Sequence, residues 1–240
     1  MVLIYHQVGG GTDSSVDLPV AQFRAQLEHL RAHHRVWSLP EAVDALARGE
    51  RPVGVAITFD DGATDFADHA APLMAELELP STLYLVTSAP GAGVLPWGVP
   101  ALSWAAVRDV VADGLVTVGS HTHDHRLLHR ITASQVADQL DQSIDHIATE
   151  VGAPPQHFAY PKAVPGNRAA RAAVAARFRS AALAGHWENT GPKHLQRLGR
   201  VPVTRGDDLA MFAAKARGGL RLEGAARHAV ARLRYRNRTT

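Results

Sequence analysis

Short apolar runs alternate with amphipathic stretches along most of this chain, and that alternation limits its fold more than any other feature. Strand candidates fall at residues 2–8, 35–39, 53–60, 81–87, 115–120, 157–161, 178–183 and 198–203. Between them, Phe23, Leu27 and Leu30 recur at helical spacing, as do Phe66, Ala70, Leu73 and Leu77. Ser38-Leu39-Pro40-Glu41 reads as a capping box with proline in the first turn. Ser103 caps a helix carrying Trp104, Val107 and Val111, closed by Gly114. Thr132 with Gln135 opens the longest helix, with Val136, Leu140, Ile144 and Ile147 inward and Gly152 and Pro154 at its end. Repeated strand–helix units predict a parallel sheet with helices outside, and seven or eight strands favour a barrel over an open sheet. At 240 residues and 46% hydrophobic content, one such α/β domain accounts for residues 1–240. The glycine- and proline-rich stretch 89–100 reads as a loop near the strand ends.

Composition narrows the chemistry. There is no cysteine, so disulfides, zinc–thiolate sites and thiol nucleophiles are excluded. The first residues carry no basic leader and no long apolar run, and no segment approaches the ~18 apolar residues of a spanning helix. The expectation is a cytoplasmic chain with weak peripheral membrane contact. That contact would come from a basic helical tail beginning near 215. Lys215, Arg217, Arg221, Arg227, Arg232, Arg234, Arg236 and Arg238 stand there against Glu223 alone. Such a tail reads as a solvated helix face, or as a contact for anionic lipid or a phosphorylated substrate. The formal net charge is only +2, and no aromatic-interleaved basic motif points to nucleic acid.

Two strand ends carry the chemistry. Thr58-Phe59-Asp60-Asp61-Gly62 closes one apolar run, and His121-Thr122-His123-Asp124-His125 closes another. In a parallel barrel, functional residues sit where the strands run out. Adjacent ionised carboxylates repel, so a cation beside them is the natural reading, although one could instead cap the following helix. If the chain turns helical after residue 120, His121 and His125 share a face; if it stays extended, His121 and His123 do. One carboxylate and two imidazoles make an open divalent-metal site. The second carboxylate would act as general base on a water that the cation acidifies. Zn²⁺ is the default ion for Asp/His/His, and other divalent transition metals fit the same ligands.

Taken together, Thr-Phe-Asp-Asp-Gly followed by His-Thr-x-x-His resembles the polysaccharide deacetylase family with its NodB-type domain, carbohydrate esterase family 4. His157-Phe158-Ala159-Tyr160-Pro161 resembles that family's third motif. The opening Leu3-Ile4-Tyr5-His6-Gln7-Val8 and the late Arg200-Val201-Pro202-Val203 resemble a Tyr-His-x-Val subgroup whose barrel looks permuted. The resemblance implies a deformed (β/α)7–8 barrel and removal of N-acetyl groups from amino sugars. By motif position it implies Asp60 as general base and Asp61, His121 and His125 as metal ligands. Thr122 would hydrogen-bond within the second motif, and the backbone N–H of Lys162 would donate to the oxyanion. A late Leu-x-His motif common in the family is missing here, and His186 and His194 lack its context. His6 takes the general-acid role in this reading. Phe158 stands where other members have an arginine; Arg200, late on the last strand candidate, either reaches across to orient Asp60 in its place or lies at the surface. Lys162-Ala163-Val164 replaces the usual aromatic-glycine continuation.

Aromatic residues able to stack on a sugar are Tyr5, Trp97, Trp104, Tyr160 and Trp187. Trp97, with Tyr160 and Pro161 of the third motif, is the expected substrate contact, whereas Trp104 sits at core spacing. The expected substrate is an N-acetylated glycan or glycoconjugate. Two other readings use the same residues differently: an O-acetyl esterase or non-sugar amidase, and a non-catalytic carbohydrate-binding barrel.

Overall fold

The computed structural model describes residues 1–219. In chain order its elements begin β1 (Val2–Tyr5), β2 (Gln7–Val8), β3 (Asp17–Leu18), α1 (Val20–His33) and α2 (Leu39–Ala47). They continue β4 (Ala56–Asp61), α3 (Ala71–Glu76), β5 (Ser81–Leu85), α4 (Ala89–Ala92), α5 (Trp104–Val111) and β6 (Val116–Ser120). The last are α6 (Ala133–Val151), β7 (His157–Ala159), α7 (Arg168–Ala175), β8 (Ser180–Ala184), β9 (Leu198–Pro202) and α8 (Leu209–Ala216). Seven strands close into a parallel barrel in the order β1-β4-β5-β6-β7-β8-β9, and β2 and β3 form a separate two-stranded sheet.

The pairing register explains why distant motifs meet. Tyr5 lies opposite Phe59, Asp61 opposite Leu85, Leu85 opposite Ser120, and Ser120 opposite Phe158. The ends of β1, β4, β6 and β7 therefore share one edge of the barrel. Alternation along β4 then sorts its side chains. Phe59 faces outward, stacked on Tyr5 at 5.3 Å and edge-on to Phe23 and Phe66. Burying a ring of this kind contributes roughly 2–3 kcal/mol. Thr58 and Asp60 face the lumen and meet Arg200 of β9. Gly119 of β6 is required by this packing. A Cβ there would come within 2.6 Å of the Tyr84 ring and 2.9 Å of the His157 carbonyl oxygen.

The capping boxes at Ser38 and Thr132 form, Ser103 caps α5, and Gly152 ends α6 in the left-handed conformation. Several expectations need correction. Residues 35–39 are not a strand: Val36 makes one isolated bridge to Val55, because Ser38 and Pro40 commit the chain to α2 at that point. The run 2–8 breaks at His6, which separates barrel strand β1 from β2. The stretch at Phe66–Ala70 winds as a π-turn before α3. Lys215 is no part of a solvated basic face. It is buried, and its ammonium donates to Asp207 Oδ2 at 2.5 Å and to the Pro202 carbonyl at 2.8 Å. The arginines from Arg221 to Arg238, and Glu223, lie outside the described residues. Among those described, no helix is long and apolar enough to cross a membrane.

Candidate metal centre

Asp61, His121 and His125 converge at the C-terminal edge of the barrel, with their donor atoms all within 4.8 Å of one another. Asp61 Oδ1 lies 3.5 Å from His121 Nε2 and 3.6 Å from His125 Nε2. Ligands about 2.1 Å from a tetrahedral ion stand about 3.4 Å apart, so the spacing suits a single divalent cation. The tautomer suits it too. His121 Nδ1 lies 2.8 Å from the Ala159 carbonyl, which can only accept, so Nδ1 carries the proton and Nε2 is left as a lone-pair donor.

The two imidazoles meet through neither local conformation considered for the sequence. Residues 121–126 are a loop, and Thr122 and His125 both have positive φ, 69° and 58°. Asp61 has φ 80°. These left-handed residues curl the chain so that the rings of His121 and His125 lie 4.9 Å apart. His123 points away, its Nδ1 on Thr87 Oγ1 at 3.0 Å and its ring stacked on His146.

Long-range bonds hold that loop. Gln139 of α6 accepts from the Asp124 N–H at 2.8 Å and donates to the Asp124 carboxylate at 2.9 Å. Its carbonyl accepts from the His123 N–H. Ser143 pairs with Ser120 Oγ at 2.7 Å, and Ser120 Oγ accepts from the Thr122 N–H. The Thr122 hydroxyl, expected to steady the loop, has no protein partner among the described residues. Gln139 and Ser143 were missed from sequence. Their only signal is polarity on the otherwise apolar stripe of Val136, Leu140 and Ile147.

The neighbouring carboxylates have opposite environments. Arg200 is completely buried and grips Asp60 with both ends, Nη1 to Oδ1 at 2.6 Å and Nη2 to Oδ2 at 2.8 Å. Nη1 also donates to Thr58 Oγ1, which in turn donates to the Leu3 carbonyl. Burial would raise Asp60, but the guanidinium, helped by His121, outweighs it and holds the carboxyl at about 2. Asp61 has no such partner. Burial, with the Asp60 charge beside it, pushes it up to about 7. Burial takes His121 down to about 4, and burial with the neighbouring His121 takes His125 down to about 2, so both rings are neutral donors.

The remaining expected residues divide. His6 stands where β1 ends, lowered by burial and opposed by the Asp60 charge, with its Nδ1 lacking a protein partner among the described residues. Lys162 follows the buried Pro161 in a left-handed turn (φ 55°). Its ammonium sits 5.2 Å from the centre of the Trp97 ring. Trp97, 43% exposed, packs edge-on against His125 at 4.8 Å and offers its other surface at the rim. Tyr160 does not fit a stacking role. It is 1% exposed, edge-on to Phe158 in the cluster with Leu128, Val136 and Leu140, because alternation turns it away from the lumen. Tyr5 is likewise buried, its hydroxyl on Gln26. Trp187 covers Gly185 and Gly199, and Trp104 packs against the core.

The polysaccharide deacetylase family model matches residues 48–181. Poly-beta-1,6-N-acetyl-D-glucosamine N-deacetylase of Staphylococcus epidermidis is 29% identical over 124 residues, 51% of this chain and 42% of that protein. This chain spans about half the length or less of the curated relatives it matches. The structure of IcaB from Ammonifex degensii superposes with a TM-score of 0.79 at 27% identity, over 90% of this chain and 96% of that one. The Streptococcus pyogenes deacetylase PplD superposes with the same TM-score at 17% identity, over 90% and 96%, a likeness of fold. With more than half of its residues inside the family model and its barrel superposing on IcaB, this chain belongs to the polysaccharide deacetylase family.

Proposed function

We propose that this chain hydrolyses the acetamide of N-acetylhexosamine units in a glycan or glycoconjugate, releasing acetate and a free amine. The observation that carries the reading is the split carboxylate pair, one aspartate kept ionised by Arg200 and the other set among two neutral imidazoles. Environments that push two adjacent acids apart mark a division into base and ligand. Asp61, His121 and His125 would hold one divalent ion, Zn²⁺ by donor chemistry, which when bound polarises the acetyl carbonyl and acidifies a water.

The protein's own groups do the rest. Asp60 takes the proton of the attacking water. Arg200 occupies two of its roughly four lone-pair positions and leaves the others free. Arg200 is thus a positioning residue. The Lys162 N–H stabilises the charge that develops on the acetyl oxygen. His6 gives its proton to the departing nitrogen as the C–N bond breaks. Trp97 offers an apolar face at the rim on which a sugar ring can lie. The S. epidermidis relative, named as a deacetylase of poly-N-acetylglucosamine, supports an N-acetylhexosamine substrate.

The test is acetate release from N-acetylglucosamine oligomers by metal-reconstituted protein, wild type beside Asp60→Asn. Release that disappears in the variant while the cation stays bound supports the reading. Equal release from both would remove Asp60 from the mechanism, and release from O-acetylated sugars alone would make the chain an esterase.

A further inference from the structure

The chemistry proposed above uses the N–H of Lys162 and leaves its side chain without a role. Lys162 is exposed at the C-terminal edge of the barrel. The left-handed turn at Lys162 and Ala163, with φ 55° and 54°, fixes the direction in which that side chain leaves the backbone. Its ammonium lies 5.2 Å from the centre of the Trp97 ring, which itself packs against His125. It is close enough for its charge to act on Asp61, His125 and His6. Among the described residues no carboxylate lies within ion-pair distance of it, since Asp61 turns to the two imidazoles.

The charges around the site therefore do not cancel. Asp60 is matched by Arg200. Asp124, the exposed carboxylate of the ligand loop, is turned onto Gln139. A divalent ion on Asp61 and two neutral imidazoles would leave one positive charge in excess, and Lys162 adds another. A neutral glycan makes no use of that excess, whereas an anionic one is drawn in and held by it.

Building on the deacetylase reading, on which this rests, we propose that Lys162 is a specificity-determining residue. The substrate then carries an anionic group, carboxylate or phosphate, on the acetylated hexosamine or on the sugar beside it. Trp97, 43% exposed, takes the apolar face of a sugar ring, and the neighbouring ammonium takes the anion. A saccharide whose acetamide reaches the metal centre must pass both.

The test is acetate release from N-acetylglucosamine oligomers of three kinds: neutral, alternating with glucuronate, and phosphorylated at O6. Wild type should show kcat/KM at least about tenfold higher on an anionic oligomer than on the neutral one, the size of a charge-assisted hydrogen bond. The preferred oligomer identifies the anion. In Lys162→Met the ratio should fall to near parity, and in Lys162→Arg it should return. A ratio is insensitive to changes in the Lys162 N–H, which all three oligomers use. Equal rates on all three in wild type, or a preference that survives Lys162→Met, would overturn the proposal and leave the deacetylase standing. Calorimetric titration of the metal-free protein with the same oligomers reads recognition without turnover. If no oligomer releases acetate, the deacetylase reading fails. Tighter binding of an anionic oligomer to wild type than to Lys162→Met, weakened by salt, would still support the role of Lys162. Equal binding to both proteins would overturn it.

Discussion

The two ends of this barrel are made of the same strands and do opposite things with their backbone. Of the six non-glycine residues with positive φ among the described residues, five stand at the C-terminal end: Asp61, Thr122, His125, Lys162 and Ala163. The sixth, Glu78, is in the turn before β5. Each such residue costs on the order of 1–3 kcal/mol. The N-terminal end is apolar, with α2 entered through a complete capping box and packed by Leu39, Val43 and Leu46 on the strand starts. Strain has thus accumulated where donor atoms must converge, and regular packing where stability is gained. The comparison implies that changes at the C-terminal end act chiefly on chemistry, and that relieving its strain raises stability.

The largest effect should come from the ligand set. Asp61→Ala is expected to bind no stoichiometric cation by metal analysis and to fall to background acetate release. Asp60→Asn should keep the cation and lose roughly 10²- to 10⁴-fold in kcat, the size of a general-base contribution. A variant of either kind with wild-type activity would break the assignment of chemistry to this end.

Arg200→Met tests the buried ion pair with Asp60. It strands the Asp60 carboxylate without a partner, and urea melts should register a loss of about 3–5 kcal/mol. The Asp60 carboxyl should also rise from about 2, moving the acid limb of the activity profile to higher pH. An unchanged melt and pH profile would reduce Arg200 to packing.

His157, away from the metal ligands, provides the pH test. Its ring is buried on Ser180 and its pKa is pushed down to about 4, by burial first and the Arg179 charge second. Between about pH 6.5 and 4 the unfolded chain holds a proton on this ring that the folded chain refuses. Its stabilising contribution is therefore complete above pH 6.5 and is lost as the pH falls toward 4. The loss should be on the order of 2–3 kcal/mol. Wild type should lose more stability than His157→Gln across that window in parallel melts; identical slopes would refute the shift.

The smallest effect sharpens the comparison most directly. Ala163, with φ 54°, gains conformational ease on conversion to glycine. Ala163→Gly should raise the midpoint of thermal unfolding by an amount worth at most about 1 kcal/mol, whereas the same change at Ala56 in the regular strand β4 should lower it. A loss at both positions would mean that backbone strain at the site end is not what separates the two regions.

Most strand positions, the helix caps and the location of the chemistry at strand ends were legible because they are local or periodic signals. The Thr58–Gly62 and His121–His125 motifs could be recognised as a pair for the same reason. The residues that shape the site were harder to read. Arg200 and Asp60 are 140 positions apart, and only closure of β9 against β1 brings them to 2.6 Å. Gln139 and Ser143 are ordinary helix residues until α6 is laid against the loop they hold. Tyr160 sits in a motif but is turned into the outer core by strand alternation.

By itself the sequence determined the residue types, their order and the strand–helix alternation that favours a parallel barrel, since periodicity and capping are properties of neighbouring residues. Motif resemblance had already pointed to His125 and Asp60, but tertiary structure alone decided how His125 reaches His121, what keeps Asp60 ionised, and which aromatic ring remains at the rim. Those outcomes depend on left-handed turns, burial and charges contributed by strands far away in the chain.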